Sequence, residues 1–283
     1  MPNFLVIGHI TRDILLSGGF AQGGTATYAA ITAARLGAHA AILTRAASDF
    51  PLTPDLDGIA VERLPATATT TFENRYHNGH RRQTVHSVAP IIRVADVPAP
   101  WRQTPIVLLG PVAQEVDPGL TAAFPDSLVG VVPQGWMRRW DAHGHVSRQP
   151  WANAAAVLTG ARALILSDED LGHDPAALAH YQRLCPVVVL TLGPRGCQVW
   201  QGNQMTAVPP RPSVEVDPTG AGDVFAAAFL IRLAATGDPV QAAHFANVTA
   251  SFSVEGQATD AIPSLAQVEA WLAQHPPEAQ SSL

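Results

Sequence analysis

At residues 217–223 the chain reads Asp-Pro-Thr-Gly-Ala-Gly-Asp, and the apolar stretch Val224–Ala235 follows directly. Phe225, Phe229 and Leu233 recur there at every fourth position, which predicts a helix with an apolar face. The small residues before this stretch therefore lie at a helix N-terminus. Backbone N–H groups can converge there without obstruction by side chains, and the helix dipole adds positive potential. The segment predicts a site for a phosphate group or for a developing negative charge.

Asp223 places a negative charge in the first turn of that helix, beside the predicted anion site. A carboxylate there repels a phosphate, but it is useful if it accepts a proton from a hydroxyl that attacks phosphorus. A structural explanation also exists, because aspartate stabilises the first turn of a helix. Taken alone, the four residues 220–223 leave both interpretations open.

Outside this segment, short apolar stretches alternate with helical ones, which is typical of a mostly parallel sheet covered on both faces. Capping signals mark the helix ends, such as the Asp-Pro pairs and the Ser264/Gln267 capping box. The predicted strands are Phe4–Gly8, Ala41–Thr44, Ile106–Gly110, Val129–Val132, Ala163–Leu166 and Val187–Leu192. The predicted helices are Ala26–Leu36 with Gly37 as its cap, one opened by Asp174-Pro175, one from Asp238-Pro239 to Val254, and one after Ser264.

The segment Val61–Val97 has a different pattern, in which β-branched and polar residues alternate. Asn78-Gly79 interrupts it with the dipeptide preferred in hairpin turns. Half-polar antiparallel strands inserted into a parallel α/β chain predict a flap beside the main body. A decorative edge hairpin is the alternative.

Composition excludes several classes of protein. The 283 residues are 47% hydrophobic and 14% charged, and no apolar run approaches the roughly 20 residues that span a bilayer. The net charge is −6 and basic runs stop at two residues, which argues against a nucleic-acid-binding surface. Because no basic stretch precedes a long apolar segment at the N-terminus, we expect a cytoplasmic protein. Cys185 and Cys197 lack metal-ligand spacing, so we expect free thiols.

The string at 217–223, with its apolar helix behind it, resembles the C-terminal signature of the PfkB or ribokinase family of carbohydrate kinases. Other features stand in the family's order: Asp13 after the first strand, Gly23-Gly24 before a helix, and Thr191-Leu192-Gly193 after a later strand. The resemblance extends from about residue 4 to residue 272.

The resemblance implies an α/β fold: a ribokinase-like three-layer sandwich with a mostly parallel central sheet and a small β-lid. A single kinase domain would cover residues 1–283, with the lid contributed mainly by residues 61–97. It also implies ATP as donor, with Mg²⁺ to neutralise phosphate charge. By analogy the roles are Asp223 as catalytic base, Gly220, Ala221 and Gly222 as anion hole, Asp13, Gly23 and Gly24 as substrate contacts, and Thr191, Gly193 and Asn247 as nucleotide contacts.

Departures from the family pattern bear on substrate and metal. Tyr28 stands where ribokinase-type members carry an asparagine, so it is a candidate substrate contact and makes ribose a less suitable acceptor. Ser167-x-x-Asp170 replaces the family's Asn-x-x-Glu motif, which leaves Asp170 as the candidate Mg²⁺ residue. Asp217 and Thr219 match positions that help to bind K⁺ in potassium-activated members, although the same residues can simply shape the turn.

Arginine and asparagine side chains supply further candidates. Arg75 and Asn78 lie in the predicted flap, where they can meet substrate hydroxyls or stay in solvent. Arg138 and Arg139, between two tryptophans, can reach phosphates or lie at the surface.

The sequence therefore favours a sugar or polyol kinase, most similar to myo-inositol kinases through Gly-Gly followed by small residues, the Ser-x-x-acid segment and Thr70–Asn74. Alternatives are a nucleoside or vitamin-precursor kinase on the same scaffold, or a non-catalytic ligand sensor. No P-loop string occurs, and no Gly-x-Gly-x-x-Gly follows the first strand, which disfavours P-loop NTPases and Rossmann dehydrogenases. Exposed strand edges in the flap also permit a homodimer.

Overall fold

The computed structural model of the chain describes residues 1–77 and 80–276. Its strands are β1 Phe4–Ile7, β2 Thr11–Ile14, β3 Phe20–Gly23, β4 Ala40–Ala47, β5 Ala60–Ala66, β6 Thr70–His77, β7 His80–Ser87, β8 Ile106–Leu109, β9 Leu128–Val131, β10 Arg138–Trp140, β11 Val146–Arg148, β12 Ala163–Ser167, β13 Val187–Thr191, β14 Cys197–Gln201 and β15 Gln204–Val208. Its α-helices are α1 Thr25–Arg35, α2 Ala154–Leu158, α3 Asp168–Leu171, α4 Pro175–Leu184, α5 Ala221–Thr236, α6 Pro239–Ser253 and α7 Leu265–Gln274. Within these ranges no helix is both long and apolar enough to cross a bilayer.

A nine-stranded sheet forms the centre of the described structure, in the order β15-β14-β13-β12-β9-β8-β1-β4-β5. All its pairings are parallel except those that β14 and β15 add at one edge. Every residue of β1 and of β8 is buried, as expected for central parallel strands covered on both faces.

Alternate residues of the central strands enter two separate cores. Phe4 and Val6 of β1 pack into the core formed with α1, α5 and α6. Leu5 and Ile7 face the opposite core, which α2 and α4 help to cover. Because side chains alternate along a strand, one apolar run serves both layers. The predicted three-layer α/β sandwich with a mostly parallel central sheet is confirmed.

A second, small sheet has the strand order β3-β2-β6-β7. The β2–β6 pairing is parallel and the other two are antiparallel. Phe72 and Val85 of this sheet pack on Val112 and Ala113 of the main body, which fixes its position. The β10–β11 hairpin lies along β7, where the Val85 N–H donates to the Gly144 carbonyl at 2.8 Å.

The structure differs from the sequence analysis in which segments build this small sheet. Within the range 61–97 assigned to the flap, β5 instead pairs with β4 at the edge of the large sheet. Strands β2 and β3, which lie outside that range, supply half of the small sheet. An edge strand of a large sheet is half-exposed and so shows the same polar alternation as a flap strand, which explains the difference. The β14–β15 hairpin was also not anticipated.

Candidate active site

A cavity of about 1110 Å³ lies between the small sheet and the carboxyl ends of β9, β12 and β13. Ligand sites of open α/β sheets form at this end of the strands. The side of the cavity made by the small sheet carries polar side chains, and the opposite side carries the start of α5. The residues that line this cavity include Asp13, Gly24, Thr25, Tyr28, Phe72, Asn74, Gln83, Val112, Gln134, Arg138, Glu169, Asp170, Thr191, Gly193, Glu215, Thr219, Gly220, Ala221, Gly222 and Asp223.

The N-termini of α1 and α5 both open into this cavity. Gly24 precedes α1 with φ 88°, and Gly220 precedes α5 with φ 78°, so both occupy backbone conformations that favour glycine. A Cβ on Gly220 would collide with the ring of Tyr28, whereas a Cβ on Gly222 would meet nothing within 4 Å. The starts of two helices thus line one space, and the predicted anion hole at 220–222 lies at its wall. Within that turn the Ala221 N–H donates to the Pro218 carbonyl at 3.2 Å.

Asp223 stands in the first turn of α5 and is partly buried at the cavity wall. Burial raises the pKa of Asp223 to about 6, and the nearby Asp170 carboxylate acts in the same direction. A hydrogen bond from the Thr25 side chain and the positive charge of Arg138 oppose that rise. A carboxylate with its pKa moved toward neutrality suits general-base chemistry.

Asp13, on β2, lines the cavity and accepts a hydrogen bond from the Thr11 hydroxyl at 3.0 Å. The glycine pair makes room for it: a Cβ on Gly23 would collide with the Asp13 carboxylate, and one on Gly24 with the His9 carbonyl. Gly24 lines the cavity, while Gly23 acts behind it by allowing this close approach.

Tyr28, on α1, is buried and lines the same cavity. Burial, and then the carboxylates of Asp13, Asp217 and Asp223, raise the pKa of Tyr28 above its ordinary value. The phenol therefore stays protonated and can donate a hydrogen bond to a ligand.

The small sheet presents Asn74 and Gln83 to the cavity, where the Gln83 side-chain amide donates to the Asn74 oxygen at 2.9 Å. The expectation for Arg75 needs correction. It follows Asn74 on β6, and successive strand residues face opposite ways. Arg75 is exposed and paired with Glu73 at 2.6 Å, away from the cavity lining. Asn78, the other predicted lid contact, lies outside the described residues.

A second cavity of about 340 Å³ adjoins the first and shares Thr191 and Gly193 with it. Proline, phenylalanine and alanine side chains supply its apolar walls, among them Phe225 and Ala250. Asn247, a predicted nucleotide contact, lines this cavity, and its side-chain amide donates to the Val208 and Pro209 carbonyls. Asn247 therefore holds the cavity wall in place.

The predicted K⁺ residues, Asp217 and Thr219, lie in the turn before α5. Asp217 receives the N–H groups of Thr219 (2.9 Å) and Ala258 (3.1 Å). Burial acts to raise the pKa of Asp217, but these two hydrogen bonds, together with one from the Thr219 hydroxyl, lower it below its ordinary value. Asp217 is absent from the lining of both cavities, whereas Thr219 lines the larger one. The part of the chain that the structure describes contains no cluster of three or more His, Cys, Asp or Glu side chains suited to a metal.

Asp170 does line the larger cavity. Ser167 caps α3 by accepting the Asp170 N–H at 3.0 Å and donates its own hydroxyl to the Asp170 carboxylate at 2.8 Å. Mg²⁺ usually takes one or two protein carboxylates and completes its shell with water and phosphate oxygens. Asp170, with Glu169 beside it, fits that limited requirement.

The sequence analysis missed several lining residues, among them Thr25, Gln134 and Gln83. Thr25 follows the glycine pair directly and faces Asp223, so its position next to that motif was a usable signal. Gln134 and Gln83 reach the cavity only through the packing of the β9 end and of the small sheet, which no local pattern announces.

Comparison with known proteins gives the family of the chain. Residues 157–265, which include the start of α5, match the model of the pfkB family carbohydrate kinases. The matched part of the chain belongs to the pfkB family of carbohydrate kinases. It is a carbohydrate or nucleoside kinase of the ribokinase type, as its sequence signature indicated.

Two curated relatives show which kinds of kinase the chain is similar to. It is 26% identical over 250 residues to a cytidine kinase of Thermococcus kodakarensis, with 81% of this chain and 88% of the relative covered. It is 31% identical over 256 residues to an inositol 3-kinase of Oryza sativa subsp. japonica, with 80% of this chain and 61% of the relative covered.

Solved structures share the fold of this pfkB-family chain. A fructokinase with bound ATP from Xylella fastidiosa superposes with a TM-score of 0.79 at 19% identity, covering 97% of this chain and 99% of that one. A pyrophosphate-dependent ribokinase-family kinase, complexed with a pyrophosphate analogue and myo-inositol, gives 0.77 at 19% identity, covering 94% and 99%. These likenesses establish the ribokinase fold.

Substituting Gly220 by alanine is expected to destabilise the protein and to disturb the start of α5. The left-handed backbone at this position costs a residue with a Cβ about 1–2 kcal/mol, and the new Cβ would also displace the buried Tyr28 ring. Thermal unfolding measures the loss. Gly222→Ala is the matched control, because its Cβ enters open space; equal stability of the two variants would contradict the packing of Tyr28 on Gly220.

If Asp223 is the base, activity should rise with pH as its carboxyl ionises. Its pKa of about 6 lies above the ordinary value, so the carboxylate that accepts the proton is lost as pH falls through about 6. We expect kcat/KM for the acceptor to show an acid limb with its midpoint near that pH. A limb near the ordinary aspartate pKa would show that burial does not raise the pKa of this group.

Proposed function

We propose that this protein transfers the γ-phosphoryl group of ATP to a hydroxyl of a small polyol, with myo-inositol as the leading acceptor. The observation that carries the proposal is the position of Asp223. It lies at the N-terminus of α5, beside the anion-hole residues 220–222, and its pKa is raised toward neutrality. A non-catalytic ligand sensor has no use for a carboxylate with this placement.

The mechanism follows from the two sides of the cavity. Asp13, Tyr28, Asn74 and Gln83 would hold the acceptor, and Asp223 would take the proton of the attacking hydroxyl. Backbone N–H groups at Gly220–Gly222 would stabilise the negative charge on the transferring group. Mg²⁺, when bound with the donor at Asp170, supplies neutralisation of phosphate charge. The small sheet covers the acceptor and limits the access of water.

The polar character of the acceptor side supports a polyol. Each hydroxyl of a polyol is both a hydrogen-bond donor and an acceptor. The Asp13 carboxylate accepts, the Tyr28 phenol can donate, and the Asn74–Gln83 amide pair offers both kinds of group. The inositol 3-kinase relative agrees with this chemistry.

A nucleoside acceptor is the second candidate. The cytidine kinase relative matches 88% of its own length to this chain, which is the observation in its favour. A nucleobase would need an apolar surface on the acceptor side, and Phe72 is an apolar aromatic residue in that part of the lining. The Arg138 guanidinium lies 5.7 Å from the centre of its ring and competes for that surface.

The smaller cavity supports a nucleotide donor. It adjoins the proposed anion hole at Ala221 and Gly222, is largely apolar, and with about 340 Å³ has space for a purine. Pyrophosphate, the donor named for some solved relatives, would leave this cavity empty.

A screen of purified protein with Mg²⁺ tests the acceptor. ATP is offered with myo-inositol, fructose, ribose, adenosine and cytidine in parallel, and phosphorylated products are followed by ³¹P NMR. We expect the highest kcat/KM with myo-inositol. Preference for cytidine would replace the polyol by a nucleoside, and absence of product from every acceptor would contradict the proposed activity.

Replacing Asp223 by asparagine is expected to lower kcat by about 10²–10⁴-fold, the usual contribution of general acid–base catalysis. ATP binding, measured by calorimetry, should persist. Folding should also persist, because the change removes a carboxylate that burial disfavours in its charged form. Turnover close to that of the wild type would exclude Asp223 as the base.

Filling the smaller cavity tests the donor. Ala250→Phe is expected to raise KM for ATP by about tenfold or more, since the phenylalanine ring would occupy the space assigned to the purine of the nucleotide. The acceptor KM should not change. Ala234→Phe, on the exposed surface of α5, is the matched control. Wild-type turnover with pyrophosphate and none with ATP would contradict the nucleotide assignment.

A further inference from the structure

Arg138 lines the larger cavity, but it has no role in the mechanism proposed above. It begins β10, just after the turn that follows β9, and lines the cavity together with Phe72, Asn74 and Val112. Its Nη1 donates to the Val112 carbonyl at 3.1 Å, and its guanidinium carbon lies 5.7 Å from the centre of the Phe72 ring. The guanidinium therefore lies where the small sheet meets the main body.

The backbone that carries Arg138 is held rigidly. Gly135 packs so closely on Pro111 and Val112 that a Cβ would collide with their backbone, and its N–H donates to the Pro111 carbonyl at 2.9 Å. Trp136 is buried, and its indole N–H donates to the Val116 carbonyl at 2.9 Å. Its ring stacks on that of Trp151, with 5.4 Å between the ring centres and 7° between the ring planes. A side chain on such a support loses little further freedom when it binds a ligand.

Arg139, the next residue, differs from Arg138 in its exposure and in the contacts of its side chain. It is exposed, is absent from the lining of the cavity, and donates through Nε to the Ser147 hydroxyl at 3.3 Å. Successive strand residues face opposite ways, so the pair offers one arginine at the site and one in solvent.

Electrostatics connects Arg138 to the reacting group. Its positive charge lowers the pKa of Asp223, against the effects of burial and of Asp170. The same cavity wall therefore presents a hydrogen-bond donor to the acceptor and a charge that favours the basic form of Asp223.

We propose that Arg138 is an acceptor-binding residue, whose guanidinium holds an acceptor oxygen adjacent to the hydroxyl that Asp223 deprotonates. This inference rests on the proposed kinase function. The planar fork of arginine can donate to two neighbouring oxygens of a polyol, which a lysine cannot reproduce. Because Arg138 also contacts Phe72 of the small sheet and Val112 of the main body, it ties the orientation of the acceptor to the position of that sheet.

Three variants separate the charge of Arg138 from its shape: Arg138→Gln, Arg138→Lys and the matched control Arg139→Gln. Acceptor affinity is measured by calorimetry, and KM for acceptor and donor and the pH profile of kcat/KM by steady-state kinetics. For Arg138→Gln we expect the acceptor Kd and KM to rise about tenfold or more, as for the loss of a charge-assisted hydrogen bond. The ATP KM should change by less than about twofold.

The pH profile distinguishes binding from a purely structural role. In Arg138→Gln the acid limb should move upward from its wild-type midpoint, because a charge that favours the Asp223 carboxylate is gone. In Arg138→Lys the limb should stay in place while the acceptor KM still rises, since the charge remains and the fork is lost. Arg139→Gln should leave all of these values unchanged.

The inference is overturned if Arg138→Gln and Arg139→Gln bind the acceptor equally well, or if the lysine variant matches the wild type in acceptor KM. If the wild type binds polyol without turnover, the proposed reaction fails while calorimetry still decides the role of Arg138. If the wild type binds no polyol, both fall together. A lower midpoint of thermal unfolding in Arg138→Gln, with an unshifted acid limb, would assign Arg138 a structural role only.

Discussion

The site depends on one constraint: a carboxylate held at the start of a helix that is itself buried. Every residue of α5 from Val224 to Leu230 is buried, between the large sheet and the helices α1 and α6. Such a helix cannot shift to expose the Asp223 carboxylate to water, so burial raises the pKa of Asp223 instead. The same burial fixes residues 220–222 at the wall of the cavity. The proposed base and the proposed anion hole thus depend on one packing arrangement.

Close contacts around glycine hold the other parts of the site to this helix. Tyr28 of α1 packs on Gly220, and Gly23 admits the Asp13 carboxylate next to the start of α1. The two helix starts therefore meet at a distance that only residues without a Cβ allow. A larger residue at Gly23 or Gly220 would shift Asp13 or Tyr28 relative to Asp223. Glycines from two distant segments of the chain are therefore needed around this one cavity.

The small sheet and the β10–β11 hairpin complete the cavity from outside the main body. Val85 of β7 bonds to Gly144 of the hairpin, while Phe72 of β6 lies beneath Arg138 of β10. These contacts join the two elements into one cover over the cavity. They also place charged and amide side chains at a boundary between elements, where these side chains line one cavity.

The amino-acid sequence by itself determined the layered α/β fold, the central strands, the helix caps and the motif at 217–223. Each of these depends on local patterns: continuous apolar runs for buried strands, Asp-Pro and Ser-x-x-Gln for helix starts, and small residues before an apolar helix. The structure alone decided which side chains share the cavity. It assigned Ala60–Ala66 to the large sheet and added β2 and β3 to the small one, since half-exposed strands look alike in sequence. It turned Arg75 away from the cavity in favour of Asn74, and it separated Arg138 from Arg139, because the face that a strand residue presents depends on what the strand packs against. Such choices depend on contacts between residues far apart in the chain, and no local pattern encodes them.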